Sequence, residues 1–152
     1  METAPVFNDR AKQLEEKRQN MITTLAALLH ESWRKRQYVS GEYTPRIKTT
    51  IDKRWIDAHG GLAQIDIANT PFAELPADWQ EENLLSAKVA IEKMEEVLYL
   101  IHDNWLDRND QSASEEQKVQ YSRLPSHEKL KDIDILEGAT RVMKENVQKE
   151  TI

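Results

Sequence analysis

Two short segments of the chain each combine a histidine, an acid, a tryptophan and an arginine in the same order. LHESWRKR occupies residues 29–36, and IHDNWLDR occupies residues 101–108. In each segment the tryptophan follows the histidine by three positions. Histidine serves as a metal ligand and as an acid or base in catalysis. The question is therefore whether these segments form a reactive or binding site, or the ends of two ordinary helices.

A metal site or a catalytic site has little support in the sequence. His30 and His102 belong to no HxxxH or HExxH pattern, and no dense carboxylate cluster accompanies them. Cysteine is absent, and the chain contains no G-x-S-x-G and no glycine-rich phosphate loop. We expect each histidine to fix a connection by hydrogen bonds beside its tryptophan. We therefore predict no enzyme, no catalytic residue, no metal and no cofactor.

The region from residue 34 to residue 54 carries most of the positive charge near the first histidine. It holds seven cationic residues against two acids, in a chain of net charge −6. Such a cluster can bind phosphate or carboxylate, and nearby aromatic rings can stack on a base. The alternative is a solvated helix end whose cations interact with the helix dipole. The residues assigned to a ligand site are His30, Trp33, Arg34, Arg36, Tyr43, Arg46, Lys53 and Trp79.

Composition limits the kind of protein that can carry such a site. The chain has 152 residues, of which 32% are charged and four are glycine, a balance that favours one mainly α-helical domain over residues 1–152. The net charge of −6 argues against nucleic acid and anionic membrane as partners. No leader-like or membrane-spanning stretch is evident. A cytoplasmic location is expected.

Three long helices are predicted to position the candidate residues. The first runs from Asn8, as its N-cap, to about Gln37, and it has an apolar face. That face consists of Ile22, Leu25, Leu29 and Trp33. A short helix is predicted next, opened by Thr49 or Thr50 and closed at Gly60. The rest of the segment between the first and second long helices, called the first connection below, is predicted to be irregular or to form short β segments.

The second long helix begins around Pro76 and carries a continuous apolar seam. The seam residues are Leu84, Ala87, Ile91, Met94, Leu98, Ile101 and Trp105. The seam either packs against the first helix or pairs two chains in a dimer. The third helix enters through Pro125, and its last residues, 148–152, are expected to fray. The apolar face of this helix comprises Ile133, Leu136, Thr140, Met143 and Val147.

The chain also reads as two copies of one unit. His30 and Trp33 align with His102 and Trp105, and residues 72–94 align with residues 121–143 without a gap. The copies span about 22–98 and 98–147 and predict a pseudo-two-fold arrangement of three long helices. The first connection is the longer one, and inserted loops of this kind often carry function.

The order LAALLHESW, SGEYTP and FAELPADWQEEN resembles the ryanodine-receptor-type repeat. The resemblance covers about residues 25–98, with a degenerate second copy at 98–147. It implies a compact helical fold with short β segments in its connections. It also implies a non-enzymatic interaction or ligand-sensing module, for which nucleotide-like ligands are an expectation.

We therefore expect a non-enzymatic binding module that recognises a small anionic, nucleotide-like ligand or a protein partner through the first connection. The alternative is a structural adaptor or homodimer that acts through its helical seam and its acidic surface. A monomer and a homodimer are both compatible with the sequence.

Overall fold

The computed structural model describes residues 4–150, without the side chains of residues 4–8 and 43. The fold is mainly α-helical, as the sequence predicts. The helices are α1 (Ala4–Arg36), α2 (Lys53–Ala58), α3 (Ala77–Asn109) and α4 (Ser126–Glu150). The strands are β1 (Tyr38–Val39), β2 (Glu42–Tyr43), β3 (Ile47–Thr49) and β4 (Gln64–Asp66). Single 3₁₀ turns occupy Ile67–Asn69, Phe72–Glu74 and Tyr121–Arg123.

Backbone contacts divide the chain into two compact units, and the boundary lies within α3. The first unit ends at Ile91, and the second begins at Glu92. The core of the first unit consists of Ile22, Ala26, Ile65, Ile67, Phe72, Leu75 and Ala87. The core of the second unit consists of Leu98, Tyr121, Leu124 and Leu136. Each unit thus has its own apolar interior.

The start of α1 differs from the prediction. The helix already includes Ala4, so Asn8 lies inside it and is not its N-cap. Ile22, Ala26 and His30 are buried, and they follow one another at intervals of one helical turn. At the other end α1 stops at Arg36 after three cationic residues, which interact favourably with the partial negative charge of a helix C-terminus.

The cap of α2 also corrects the prediction. Asp52, rather than Thr49 or Thr50, is the N-cap, because its side chain accepts a hydrogen bond from the amide of Trp55. The predicted end at Gly60 agrees with the structure, since Gly60 has a φ of 69° just after the last helical residues. A left-handed residue of this kind is the common way to end a helix, and glycine adopts it without steric cost.

Two small antiparallel two-stranded sheets shape the first connection, and the first of them is a β-hairpin. β1 pairs with β2 around Ser40 and Gly41, whose φ angles of 54° and 86° suit the tight two-residue turn of a hairpin. β3 pairs with β4, and Ile47 lies opposite Asp66. The β3–β4 sheet therefore joins the residues before α2 to the residues after it and closes the connection into a compact loop.

The seam of α3 faces the cores of the two units. Ala87 and Leu98 are buried, and most of the other seam residues are partly buried, whereas Met94 is 42% exposed. This burial favours the packing alternative over a dimer seam. Within residues 4–150, no helix has both the length and the apolar character needed to cross a membrane.

In α4 the apolar face is covered only in part. Leu136 is buried, but Met143 and Val147 are 68% and 55% exposed. The helix continues to Glu150, so residues 148–150 are helical and the predicted fraying is wrong for them. Residues 151 and 152 lie outside the described part of the chain.

Candidate functional site

His30 joins the end of α1 to the loop that precedes α3. Its ring is 3% exposed, and its Nε2 atom lies 2.7 Å from the carbonyl oxygen of Thr70. Because a carbonyl oxygen only accepts, Nε2 is the donor, which fixes the hydrogen of the neutral ring on that atom. The ring also stacks on Trp33, with centroids 5.8 Å apart. His30 therefore fixes the connection in place, as the sequence predicts.

A cavity of about 180 Å³ opens beside this histidine in the first unit. Its walls come from the end of α1, from the first turns of α3 and from the connection between them. The lining residues are His30, Trp33, Ile67, Leu75, Trp79, Glu82 and Asn83. The lining is thus largely apolar and aromatic, with an imidazole, a carboxylate and an amide as its polar groups.

Trp79 forms one wall of the cavity and is held by strand β3. Its Nε1 atom donates a hydrogen bond to the carbonyl oxygen of Thr49 at 3.1 Å. Lys48, the preceding residue of the same strand, places its Nζ atom 5.9 Å from the centroid of the Trp79 ring. A cation at this distance interacts favourably with the face of an indole. One positive charge therefore lies beside an aromatic wall of the cavity.

Glu82 and Asn83 supply the polar side chains of the α3 wall. Among the described residues, neither side chain has a hydrogen-bond partner or an ion-pair partner within the protein. Glu82 is exposed and Asn83 is half-buried. Both groups are therefore available to a molecule that enters the cavity.

The sequence reasoning missed these two residues, although a signal for them exists. Glu82 and Asn83 follow Trp79 by three and four positions in one helix, so all three belong to neighbouring positions on its surface. Since Trp79 was assigned to the site, the same spacing could have added Glu82 and Asn83. Ile67 and Leu75 carry no such signal, because their place depends on the path of the connection.

The side chain of Arg34 makes contacts that stabilise the fold. Its Nε atom donates to the carbonyl oxygen of Ala68 at 2.9 Å, and its Nη1 atom forms an ion pair with Glu31 at 2.9 Å. The side chain is only 14% exposed, and it does not belong to the cavity lining. The structure therefore separates Arg34 from His30, Trp33 and Trp79, with which it was grouped.

The other assigned cations also lie outside the cavity lining. Arg36 and Lys53 are exposed, and the Nε atom of Arg46 donates to the side chain of Gln37 at 3.1 Å. Tyr43 belongs to β2, but its side chain lies outside the described part of the structure. Of the eight residues assigned to the ligand site, the cavity thus brings together three: His30, Trp33 and Trp79.

Two aspartates tie the connection to the start of α3. Asp52 accepts hydrogen bonds from the amides of Trp55 and Ala77, and Asp78 accepts from the hydroxyl of Thr50 at 2.6 Å. The amide of Ala77, followed by that of Trp55, lowers the pKa of Asp52 below its ordinary value, because both bonds favour the ionised carboxylate. These bonds hold the strand of Lys48 and Thr49 against the helix that carries Trp79.

The second unit repeats the histidine contact but places an acid beside the ring. The Nε2 atom of His102 lies 2.7 Å from the carbonyl oxygen of Val119, and the ring stacks on Trp105. The Nδ1 atom of His102 lies 3.9 Å from the Oδ2 atom of Asp132. Burial raises the pKa of Asp132, although the nearby His102 acts in the opposite direction. In the predicted alignment of the two copies, Asp132 corresponds to Asn83 of the cavity.

Within residues 4–150, no three histidine, aspartate or glutamate side chains come together in a group that could hold a metal ion. Comparisons of the chain with protein-family models, with curated proteins and with solved structures find no match. The likeness to the ryanodine-receptor-type repeat therefore depends on the residues and spacings of this sequence alone.

Proposed function

We propose that the protein is a non-enzymatic binding module, similar to the ryanodine-receptor-type repeat, that recognises a small anionic, nucleotide-like ligand. The observation that carries the proposal is the cavity of about 180 Å³ lined by Trp33 and Trp79. Aromatic side chains bind bases by stacking, which contributes about 1–3 kcal/mol per base. The first connection supplies Ile67 and Leu75 to this cavity.

The charge near the cavity supports an anionic ligand. Lys48 lies beside the ring of Trp79, and Arg36 and Lys53 are exposed cations of the same unit. Phosphate oxygens form charge-assisted hydrogen bonds with such groups, which are stronger than bonds between neutral partners. In this proposal the base enters the cavity, and the phosphate stays outside near Lys48.

Isothermal titration calorimetry with the four common ribonucleoside monophosphates tests the proposal on the full chain. At least one nucleotide is expected to bind, and Trp33→Ala should weaken that binding about 5- to 150-fold, the loss that about 1–3 kcal/mol of stacking produces. Trp105→Ala is the matched control, because it removes the tryptophan of the other His-x-x-Trp segment. Circular dichroism verifies that both variants remain folded. No binding of any nucleotide at millimolar concentration contradicts the proposal.

A second proposal, of a structural adaptor, homodimer or protein-binding module, has one observation in its favour. α3 exposes large apolar side chains on the surface away from its seam. Leu85, Val89 and Leu100 are 53%, 59% and 60% exposed. Sedimentation at several protein concentrations distinguishes the proposals, since self-association that Leu85→Lys with Val89→Lys abolishes would favour this second function. A cytoplasmic location also stays a prediction, based on the high charged fraction and the absence of cysteine.

A further inference from the structure

The size of the cavity determines how much of a nucleotide it can enclose. A cavity of about 150 Å³ lined by apolar side chains admits a benzene ring. The cavity here, at about 180 Å³, therefore suits one planar ring system and not a whole nucleotide. The base alone enters, so the groups that line the cavity decide which base binds.

The α3 wall contributes two polar side chains to the lining, those of Glu82 and Asn83. A carboxylate such as that of Glu82 only accepts hydrogen bonds, and it can accept two side by side. The amide of Asn83 supplies donor hydrogens. The third polar group of the lining, His30, already uses its Nε2 atom for Thr70. Its Nδ1 atom stays as a single acceptor, so Glu82 and Asn83 are the side chains of the lining that can pair with several atoms along the edge of a base.

We propose that this cavity selects guanine, with Glu82 accepting from the N1 and N2 hydrogens of the base and Asn83 donating to its O6 atom. This inference rests on the proposed function, because it names the base of a nucleotide that the same cavity binds. Guanine is the common base whose Watson–Crick edge places two donors next to each other and an acceptor beside them. A carboxylate can accept both of these hydrogen bonds, and an amide can donate to the acceptor.

The other bases fit this pair of side chains less well. Adenine and cytosine each offer one amino group beside a ring-nitrogen acceptor, and uracil offers one N–H, so none of them presents two donor groups to one carboxylate. Hypoxanthine keeps the N1 hydrogen of guanine but lacks the amino group at N2. A site that hydrogen-bonds a ligand donor discriminates against an analogue without it, because the site's own polar group then loses its partner.

A ligand with an ammonium group is an alternative occupant of a cavity lined by aromatic rings and a carboxylate. Cations bind to the faces of tryptophan rings, so choline is a reasonable competitor. However, the Nζ atom of Lys48 already lies 5.9 Å from the centroid of the Trp79 ring. A second positive charge at the same ring would be repelled by Lys48, whereas a neutral base would not. The position of Lys48 therefore favours guanine over a cation.

Calorimetric titrations of the full chain with GMP, IMP, AMP and choline test the selection. GMP is expected to bind at least about tenfold more tightly than IMP and AMP, the order of discrimination expected for a hydrogen bond to a charged group. Glu82→Gln should abolish this preference while GMP still binds weakly. Glu81→Gln is the matched control, because it neutralises the adjacent exposed acid, which is not part of the lining.

The outcomes distinguish this inference from the proposed function. Equal binding of the three nucleotides, or a preference for AMP, overturns guanine selection but leaves a nucleotide module. A GMP preference that persists in Glu82→Gln also overturns the assigned role of Glu82. Binding of choline in place of GMP overturns both proposals, as does the absence of any binding. GMP preference that Glu82→Gln removes and Glu81→Gln retains supports the inference.

Discussion

The carboxylate of Asp52 accepts a hydrogen bond from the backbone amide of Ala77 at 2.9 Å, and the two residues lie 25 positions apart in the sequence. The same side chain accepts from the amide of Trp55 at 3.2 Å. One carboxylate thus satisfies free amides at the starts of two helices, α2 and α3. This shared cap holds the connection between α1 and α3 beside Trp79.

Asp52→Ala is expected to lower the melting temperature by about 2–6 °C, since the loss of a helix cap is destabilising and two helices share this one. The pKa of Asp52 is lowered in the fold, so its stabilising contribution is present above the ordinary value of 3.8 and is lost as the pH falls through the folded pKa. Thermal denaturation at pH 7 and at pH 2.5 should show a difference between variant and wild type that is smaller in acid. Asp57→Ala, an exposed acid of the same helix, is the control.

Asp132→Asn tests the buried acid beside His102. Burial raises the pKa of Asp132, and Glu128 raises it further, whereas His102 and Lys131 act in the opposite direction. Its contribution to stability is therefore full below the ordinary value of 3.8 and is lost as the pH rises through the folded pKa. The asparagine variant cannot ionise. Its melting temperature relative to the wild type should therefore rise as the pH increases from below 3.8.

The control for this second measurement is Asp134→Asn, which changes an exposed acid of the same helix. It should follow the wild type over the same pH range. A melting temperature of Asp132→Asn that falls relative to the wild type as the pH rises would show that the pair with His102 outweighs the effect of burial.

His30→Ala is expected to reduce the free energy of unfolding by about 1–3 kcal/mol, because it removes the donor to the part-buried carbonyl oxygen of Thr70. Chemical denaturation measures the change. His127→Ala is the comparison, since His127 is exposed and such surface substitutions stay within about 0.5 kcal/mol. Equal stability of the two variants would contradict the structural role of His30.

Variants of Arg34 and Arg36 compare a cation that stabilises the fold with an exposed cation that a ligand could contact. Arg34→Met removes the donor to Ala68 and the partner of Glu31, so it should destabilise the protein by about 1–3 kcal/mol in denaturant titrations. Arg36→Gln neutralises an exposed position at the end of α1 and should lower stability by less than about 1 kcal/mol. If Arg36 contributes to phosphate binding, its variant loses affinity for GMP and a part of the salt dependence of binding.

Much of the fold could be predicted from the sequence, because apolar residues at helical spacing and prolines at helix starts are local signals. The starts of α3 and α4 directly after Pro76 and Pro125 are examples. The start of α1 was not predictable from Asn8, since the residues before it also continue the helix. The cap of α2 was missed because Thr50, one of the two expected caps, instead donates its hydroxyl hydrogen to Asp78.

The candidate site was predictable only where its residues carry local signals. His30 and Trp33 share a helix turn, and Trp79 follows a Leu-Pro pair, so their types and positions drew attention. The burial of Arg34 depends on the carbonyl oxygen of Ala68, which the connection brings back to α1. No local pattern encodes that return. The duplication of the chain stays a prediction, although each unit has a histidine that donates to a loop carbonyl oxygen.

Two of the four tryptophans line the cavity, whereas Trp55 donates its indole hydrogen to the carbonyl oxygen of Glu74 outside the lining. If the cavity binds a base as proposed, the protein contains its own optical reporter of occupancy. A base stacked on Trp33 or Trp79 should quench part of the intrinsic fluorescence, and the emission of Trp55 should remain as an internal reference. Ligand libraries can thus be screened on the unlabelled wild-type chain by its emission alone.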